Sequence, residues 1–433
     1  MCYAIPGKVK KIEDKFVLVD YFGQIKKAVN ELDDLKPGDY IYAQGGYAIE
    51  KLPRHEAEGI LASWRETFFE LQELDLELSK IDLAKSGLDK GVSKLMDKSL
   101  KGFELSKQEV HYLMGIEDDQ NLDFIYKTAN FLRQKHIQNS CCVHGIIEIS
   151  NQCQRNCAYC GISGSNYKLS RYRMSPEEIV DTATKVSKEW GFKALVLQSG
   201  EPAPYSIDEL CAIIKKIKKN APLFICISFG EVGLANLEKL YQAGARGLLL
   251  RFETSNQANY SKLHPGSNLE NRIQHLEKAK ELGYLIMTGG LIGLPGQSSK
   301  DLVEDIFLAK ELGAEMYSFG PFLPHPDTPL GKEKVTNEKE VLKLLALIRL
   351  VDPKNAKTLI TTAFETLSST ARTKGLLSGA NSFMLNVTPV EYRNKYSIYP
   401  NRVTSGKQVG DQVEETITLL KSLGRAPTDI GVI

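Results

Sequence analysis

The chain has 433 residues, 42% of them hydrophobic and 25% charged, which excludes general disorder and predicts a soluble globular protein of two or three domains. Lysine plus arginine number 55 against 54 acidic residues, so the net charge of +1 gives no electrostatic case for nucleic acid or an anionic membrane as partner. No apolar run reaches the roughly 20 residues that span a bilayer. Residues 1–7 lack the basic and apolar regions of a signal peptide, and the expected location is the cytoplasm.

Residues 1 to about 52 are predicted as five short strands, 8–12, 16–21, 24–29, 40–44 and 47–52, punctuated by Phe22-Gly23, Pro37-Gly38-Asp39 and Gly45-Gly46. Short strands with no helix between them predict a small β-barrel. After Pro53, the residues Ile60, Leu61, Trp64, Phe68, Leu71, Leu74 and Leu78 recur mostly at steps of three or four, the mark of an amphipathic helix. Residues 79–101, rich in Lys, Asp, Ser and Gly, read as a solvated connector, and helical pieces follow to about 138. The expected units are a small barrel with its trailing helix at 1–78, a connector at 79–104 and one large unit at 105–433.

From His144 onward strands and helices alternate. Candidate strands are 145–149, 194–198, 223–229, 247–252, 285–290, 316–320, 358–361 and 382–385, with helical patterns between them. This predicts an α/β fold, a closed or nearly closed parallel (βα)8 barrel of the TIM type, with its chemistry at the carboxyl ends of the strands.

Eight cysteines stand at 2, 141, 142, 153, 157, 160, 211 and 226, too few for a disulfide scaffold in a chain of this size. Cys211 and Cys226 lie in apolar runs and read as small buried hydrophobes. The adjacent Cys141 and Cys142 precede the first barrel strand and read as structural. Cys153, Cys157 and Cys160 differ, because their C-x3-C-x2-C spacing falls on one loop where that strand ends. Three thiolates there can hold three irons of a 4Fe–4S cube and leave the fourth iron open. Zinc sites commonly use four ligands in two pairs. No second pair is near, and His144 lies at the leading end of the strand.

This spacing, with the aromatic Tyr159 before the last cysteine, resembles the radical S-adenosylmethionine (SAM) enzymes. The resemblance implies a 4Fe–4S cluster and SAM as cofactors, an external electron donor, and Cys153, Cys157 and Cys160 as cluster ligands. Gln198-Ser199-Gly200-Glu201 ends strand two, where the family's glycine-glutamate motif binds the SAM amino group. Ser228 and Glu231, with Arg251 and Glu253 after strand four, correspond to groups that hold the SAM ribose and carboxylate. Leu294, in Gly293-Leu294-Pro295-Gly296, falls in the adenine-contacting stretch.

Within that family, Ser170-Arg171-Tyr172-Arg173-Met174-Ser175-Pro176, Arg251-Phe252-Glu253-Thr254, Gly320-Pro321-Phe322-Leu323-Pro324-His325-Pro326 and Tyr392-Arg393 look like HydE, the maturase of FeFe hydrogenase, over roughly residues 105–425. The resemblance implies Tyr392 beside the substrate. Phe252 stands where HydE commonly has a histidine, which implies an altered inner pocket. No cysteine follows Cys226, so the accessory carboxyl-terminal cluster of some HydE proteins is missing.

The opening Met1-Cys2-Tyr3-Ala4-Ile5-Pro6-Gly7, with Gly38-Asp39-Tyr40 and Gly46-Tyr47-Ala48, resembles the HypC family of hydrogenase-assembly chaperones over residues 1 to about 75. In that family the cysteine at position two, here Cys2, binds iron bearing cyanide and carbon monoxide. Gln44 replaces the family's usual histidine, so iron capture is expected to be weaker or to need a ligand from elsewhere. Together the two resemblances imply a radical SAM enzyme of hydrogenase metallocofactor maturation. Its substrate would be an iron-CO/CN-type or sulfur-containing precursor, handed over by Cys2 across the connector, and its partners other maturation proteins or a hydrogenase precursor. Two alternatives stay open: a small-molecule enzyme like biotin synthase or methylornithine synthase, and a non-catalytic assembly scaffold.

Overall fold

The computed structural model describes residues 5–81, 87–402 and 406–430. Its first unit opens with an antiparallel meander of β1 (Gly7–Glu13), β2 (Phe16–Tyr21) and β3 (Gln24–Val29), followed by a hairpin of β4 (Tyr40–Gln44) and β5 (Tyr47–Leu52). β4 returns to β1 and β5 lies beside β3, so the five strands close a barrel. Side chains alternate between faces along a strand, and on β2 this sends Val17, Val19 and Tyr21 inward. Gly7 marks a close approach, since a Cβ there would meet Val19 at 2.2 Å. Helix Arg54–Leu78 lays Trp64, Phe68 and Leu71 on the same core.

Eight further strands form the large unit: β6 (Ser140–Ser150), β7 (Ala194–Ser199), β8 (Phe224–Ser228), β9 (Ala245–Leu249), β10 (Leu285–Thr288), β12 (Met316–Tyr317), β14 (Lys357–Ile360) and β15 (Ser382–Asn386). All are parallel and in sequence order, and β15 pairs with β6 to close a (βα)8 barrel. Beyond the ends of β10 and β12 the short β11 (Leu291–Ile292) and β13 (Gly320–Pro321) pair with each other. The expected strand 285–290 breaks at Gly289, whose φ of 156° no β-branched residue would adopt. β6 starts earlier than expected because β16 (Ala426–Pro427) pairs with Ser140 and Cys141. Capping boxes at Ser175/Glu178, Ser206/Glu209 and Ser298/Asp301 start three outer helices by satisfying their first backbone N–H groups.

The segment expected as a solvated connector carries helix Lys90–Leu100, capped by Asp89, with Val92, Leu95 and Met96 buried in the main core. Three hydrophobes in a polar helix are enough to seat it. No helix among the described residues is long and apolar enough to cross a membrane.

The two units meet at the amino ends of the large barrel's strands. Tyr47 joins Cys142, Ala194, Phe224, Cys226 and Leu285 in one apolar cluster inside the lumen. Its ring lies 5.9 Å from that of Phe224, and its hydroxyl donates to the Gly283 carbonyl at 2.8 Å. A Cβ on Gly45 would meet Phe224 at 2.5 Å, so the tip of the β4–β5 turn has to be glycine to fit there. Around this plug, Glu31 pairs with Arg246 at 2.5 Å and Glu50 with Lys193 at 3.4 Å. Fully buried Asp75, on helix Arg54–Leu78, takes both amino groups of Arg133 at 2.6 and 2.8 Å, and Arg425 at 3.2 Å. Removing one partner of such a group leaves an uncompensated buried charge, at a cost of about 3–5 kcal/mol.

Candidate active site

At the carboxyl ends of the strands, one cavity is lined by the Cys153, Cys157 and Cys160 thiols together with Tyr159, Gln198, Ser199, Gly200, Glu201, Ser228, Arg251 and Glu253. The loop that carries the thiols is held from several sides. Arg171 donates to the carbonyls of Asn151, Ile162, Ser163 and Asn166 at 2.6 to 3.1 Å. Backbone N–H groups of Gln154, Ala158 and Gly161 bond the carbonyls of Glu201, Leu263 and Ile398. A Cβ on Gly200 would strike the Gln152 carbonyl at 2.1 Å, so glycine is what lets the end of β7 approach the loop.

All three thiols are free. Burial pushes Cys160 up to about 12 and Cys157 well above its ordinary value; the neighbouring thiolates of Cys160 and Cys153 add to the rise at Cys157, and that of Cys153 to the rise at Cys160. A dry pocket that places three mutually repelling thiolates together favours them only when a cation is present, and an iron cluster reverses that penalty. The donor set therefore fits a three-cysteine 4Fe–4S cluster. His264 Nδ1 lies 3.2 Å from Cys157 Sγ. Burial, then Arg272, Arg251 and Arg155, push this imidazole down to about 3, so it is neutral at working pH.

Beside the thiols stands an alternating set of charges. Arg155 reaches Glu201 at 2.8 Å and Glu231 at 3.2 Å, while Arg272 reaches both at 2.9 Å. Burial works against the Glu201 carboxylate, but the two guanidiniums more than reverse it and hold the group below its ordinary value. Glu201 thus enters the cavity already sharing its charge. Arg251 pairs with Glu253 at 3.1 Å, and the second Glu253 oxygen is buried without a partner. Glu253 has a φ of 68°, unusual for a side chain of its size, and its carbonyl would clash at 2.5 Å with any Cβ on Gly290. Across the cavity, Glu148 takes Arg402 at 2.5 Å and Asn386 at 3.0 Å, and Tyr396 and Tyr399 complete that wall.

Several expected residues fall elsewhere. Glu231 does not line the cavity; it holds Arg155, Arg272 and Asn271 from behind. Leu294 packs in a small apolar cluster with Leu263, Leu291 and Phe322, against the outer side of Tyr159. Tyr392 does not line this cavity: its ring stacks on Tyr172 at 4.8 Å and its hydroxyl donates to Glu178 at 2.7 Å. Phe252 does not alter the inner pocket, because it is fully buried in the surrounding core against Phe319 while its two neighbours face in. Cys2 lies outside the described residues. Arg155, His264, Arg272, Tyr399 and Arg402 were not expected; only Arg155, inside the cysteine loop, carried a visible signal.

A parallel barrel with a three-thiol loop after its first strand, and a glycine-glutamate turn against that loop after its second, defines a radical SAM enzyme. Residues 147–309 match the Radical SAM superfamily, and residues 1–64 match the HupF/HypC family. The chain is 38% identical over 324 residues to the FeFe hydrogenase maturase subunit HydE of Thermotoga maritima, covering 75% of this chain and 92% of that protein, and it belongs to that radical SAM family. It is also 32% identical to the 3-methylornithine synthase of Methanosarcina acetivorans, over 60% of this chain and 73% of the other. The solved structure of HydG, a maturase of the FeFe hydrogenase, superposes with a TM-score of 0.67 at 20% identity, over 84% of this chain and 78% of that one. The cofactors of this enzyme class are a 4Fe–4S cluster and SAM.

Proposed function

We propose that the chain is a cytoplasmic maturase of a hydrogenase metallocofactor, acting on an iron-CO/CN-type or sulfur-containing precursor that its N-terminal unit carries. The observation that supports this most is the presence in one chain of a HydE-like barrel and a HupF/HypC-type unit. When bound, a 4Fe–4S cluster would supply the electron for reductive cleavage of SAM to methionine and a 5′-deoxyadenosyl radical. In this reading Cys153, Cys157 and Cys160 hold that cluster. Gln198, Ser228, Arg251 and Glu253 orient SAM through hydrogen bonds and charge, and Arg155 and Arg272 fix Glu201 so that it meets the amino group in one geometry. Tyr396, Tyr399 and the Glu148–Arg402 pair form the wall against which a precursor would sit and keep water from the radical.

The test is Cys2→Ala in reconstituted full-length protein supplied with candidate precursor and reductant. Loss of precursor-dependent product, with SAM cleavage retained, supports the carrier role; unchanged product and iron content would remove it. The 3-methylornithine synthase relative favours a second reading, a radical rearrangement of an amino acid, which would appear as substrate-dependent 5′-deoxyadenosine release indifferent to Cys2.

A further inference from the structure

A second group of metal-type donors lies at the other end of β6. The Cys142 thiol, the His144 imidazole and the Asp429 carboxylate come within 4.8 Å of one another, and all three residues are buried. Residues two apart on a strand share a face, and on β6 that face is the lumen. Cys142 and Ile146 belong to the lumen cluster and Glu148 lines the cavity above, whereas Cys141, Val143 and Ile147 lie in the outer core. Asp429 arrives just after β16 and is fixed by the Val143 N–H and the Thr428 hydroxyl, each at 2.9 Å, with His144 Nε2 at 3.3 Å.

One feature of this arrangement is unpaid for by protein contacts: His144 Nδ1 is buried with no hydrogen-bond partner in the structure. A native fold rarely leaves such an atom without a reason. A thiol, an imidazole and a carboxylate form the mixed S, N and O donor set that takes a divalent first-row cation of borderline softness. The surroundings set the group beside the N-terminal unit. Gln44, the last residue of β4, donates to the Thr428 carbonyl, so Asp429 is one residue from the seam with the N-terminal unit. Ile146, Val196, Met287, Met316, Leu359 and Met384 fill the lumen between this group and the upper cavity.

We propose that Cys142, His144 and Asp429 form a second metal site, for ferrous iron or zinc, on the barrel floor beneath the N-terminal unit. The site rests on the geometry of the triad and is independent of SAM chemistry at the upper end. Three protein ligands leave a coordination position for a further donor. The neighbouring Lys357, at the start of β14, is itself paired with Glu315 at 3.0 Å and offsets part of the negative charge of the ligands.

The experiment uses full-length protein whose cluster is assembled anaerobically from natural-abundance iron, then given one equivalent of 57Fe(II) or, in a parallel sample, Zn(II), and passed through gel filtration. Mössbauer spectroscopy reads the added iron and metal analysis the zinc. The wild type is expected to retain one added ion per chain, and Cys142→Ser, His144→Gln and the isosteric Asp429→Asn to lower retention by roughly tenfold or more. Cluster absorbance in each variant reports that the barrel has folded. Cys2→Ala is expected to keep the added ion, which separates this site from the amino terminus. Retention of zinc but not iron, lost in the same variants, upholds the site and names its metal. No retained ion in the wild type, or equal retention in all three variants, would overturn it.

Discussion

The same eight strands end in a charged cavity and begin in a plugged floor. At their carboxyl ends the cavity is lined by three thiols, three carboxylates and four arginines, and the polar side chains there still have unused capacity, as at Glu253 and His264. At their amino ends Ala194, Phe224 and Leu285 meet Tyr47, and the contacts at the rim are complete pairs: Glu31 with Arg246, Glu50 with Lys193. The difference shows how one barrel keeps two jobs apart. Charged side chains line the end where a ligand will enter, and apolar burial is used where another unit must stay. The N-terminal unit therefore does not hang over the cysteine loop on a tether; it is docked at the far end of the barrel, and a packed helix replaces the expected connector.

Breaking the joint between the units has the largest expected effect on stability. Asp75→Ala strands Arg133 and Arg425 without their shared carboxylate and is expected to cost about 3–5 kcal/mol in denaturant unfolding. SAM cleavage by the remaining folded protein should be unchanged, because Asp75 lies far from the cavity walls. A smaller effect is expected at the upper end. Arg272→Met leaves Glu201 and Glu231 facing each other with Arg155 alone, and the loss of charge-assisted bonds of about 1.5–3 kcal/mol should raise the KM for SAM by roughly ten- to a hundredfold. Here the melting temperature should move less than in Asp75→Ala; the reverse order would mean that the charge set is structural rather than ligand-binding.

The smallest effects test single hydroxyls. Tyr47→Phe removes the bond to the Gly283 carbonyl and should cost about 1 kcal/mol in unfolding with no change in SAM kinetics. Tyr392→Phe removes only a bond to Glu178 on the outer surface, so its kinetics should match the wild type. A clear fall in turnover for Tyr392→Phe would restore the substrate role that the family resemblance implied.

Much of this was readable in the chain. The five small strands and the eight barrel strands show as apolar runs and alternation bounded by turn residues, and the cysteine loop shows as a spacing. What stayed hidden depends on contacts between distant segments. Arg272 and Arg402 look like ordinary charges on a helix and in a loop until folding carries them to Glu201 and Glu148. Helix Lys90–Leu100 is too polar to predict, because three seated hydrophobes do not make a pattern. Phe252 was misread since neighbours on an irregular strand end point opposite ways, and only Arg251 and Glu253 face the cavity. The docking of the β4–β5 turn rests on Gly45 and Tyr47, whose fit to Phe224 no local pattern reveals.

The central claim, that the upper cavity cleaves SAM, is tested most directly by measuring 5′-deoxyadenosine from anaerobically reconstituted protein with dithionite and SAM, alongside Cys157→Ala. The account predicts about four irons per chain in one cluster, steady 5′-deoxyadenosine release by the wild type, and none from Cys157→Ala despite a folded barrel. A wild-type cluster that does not respond to SAM, or equal release by the two proteins, would contradict it.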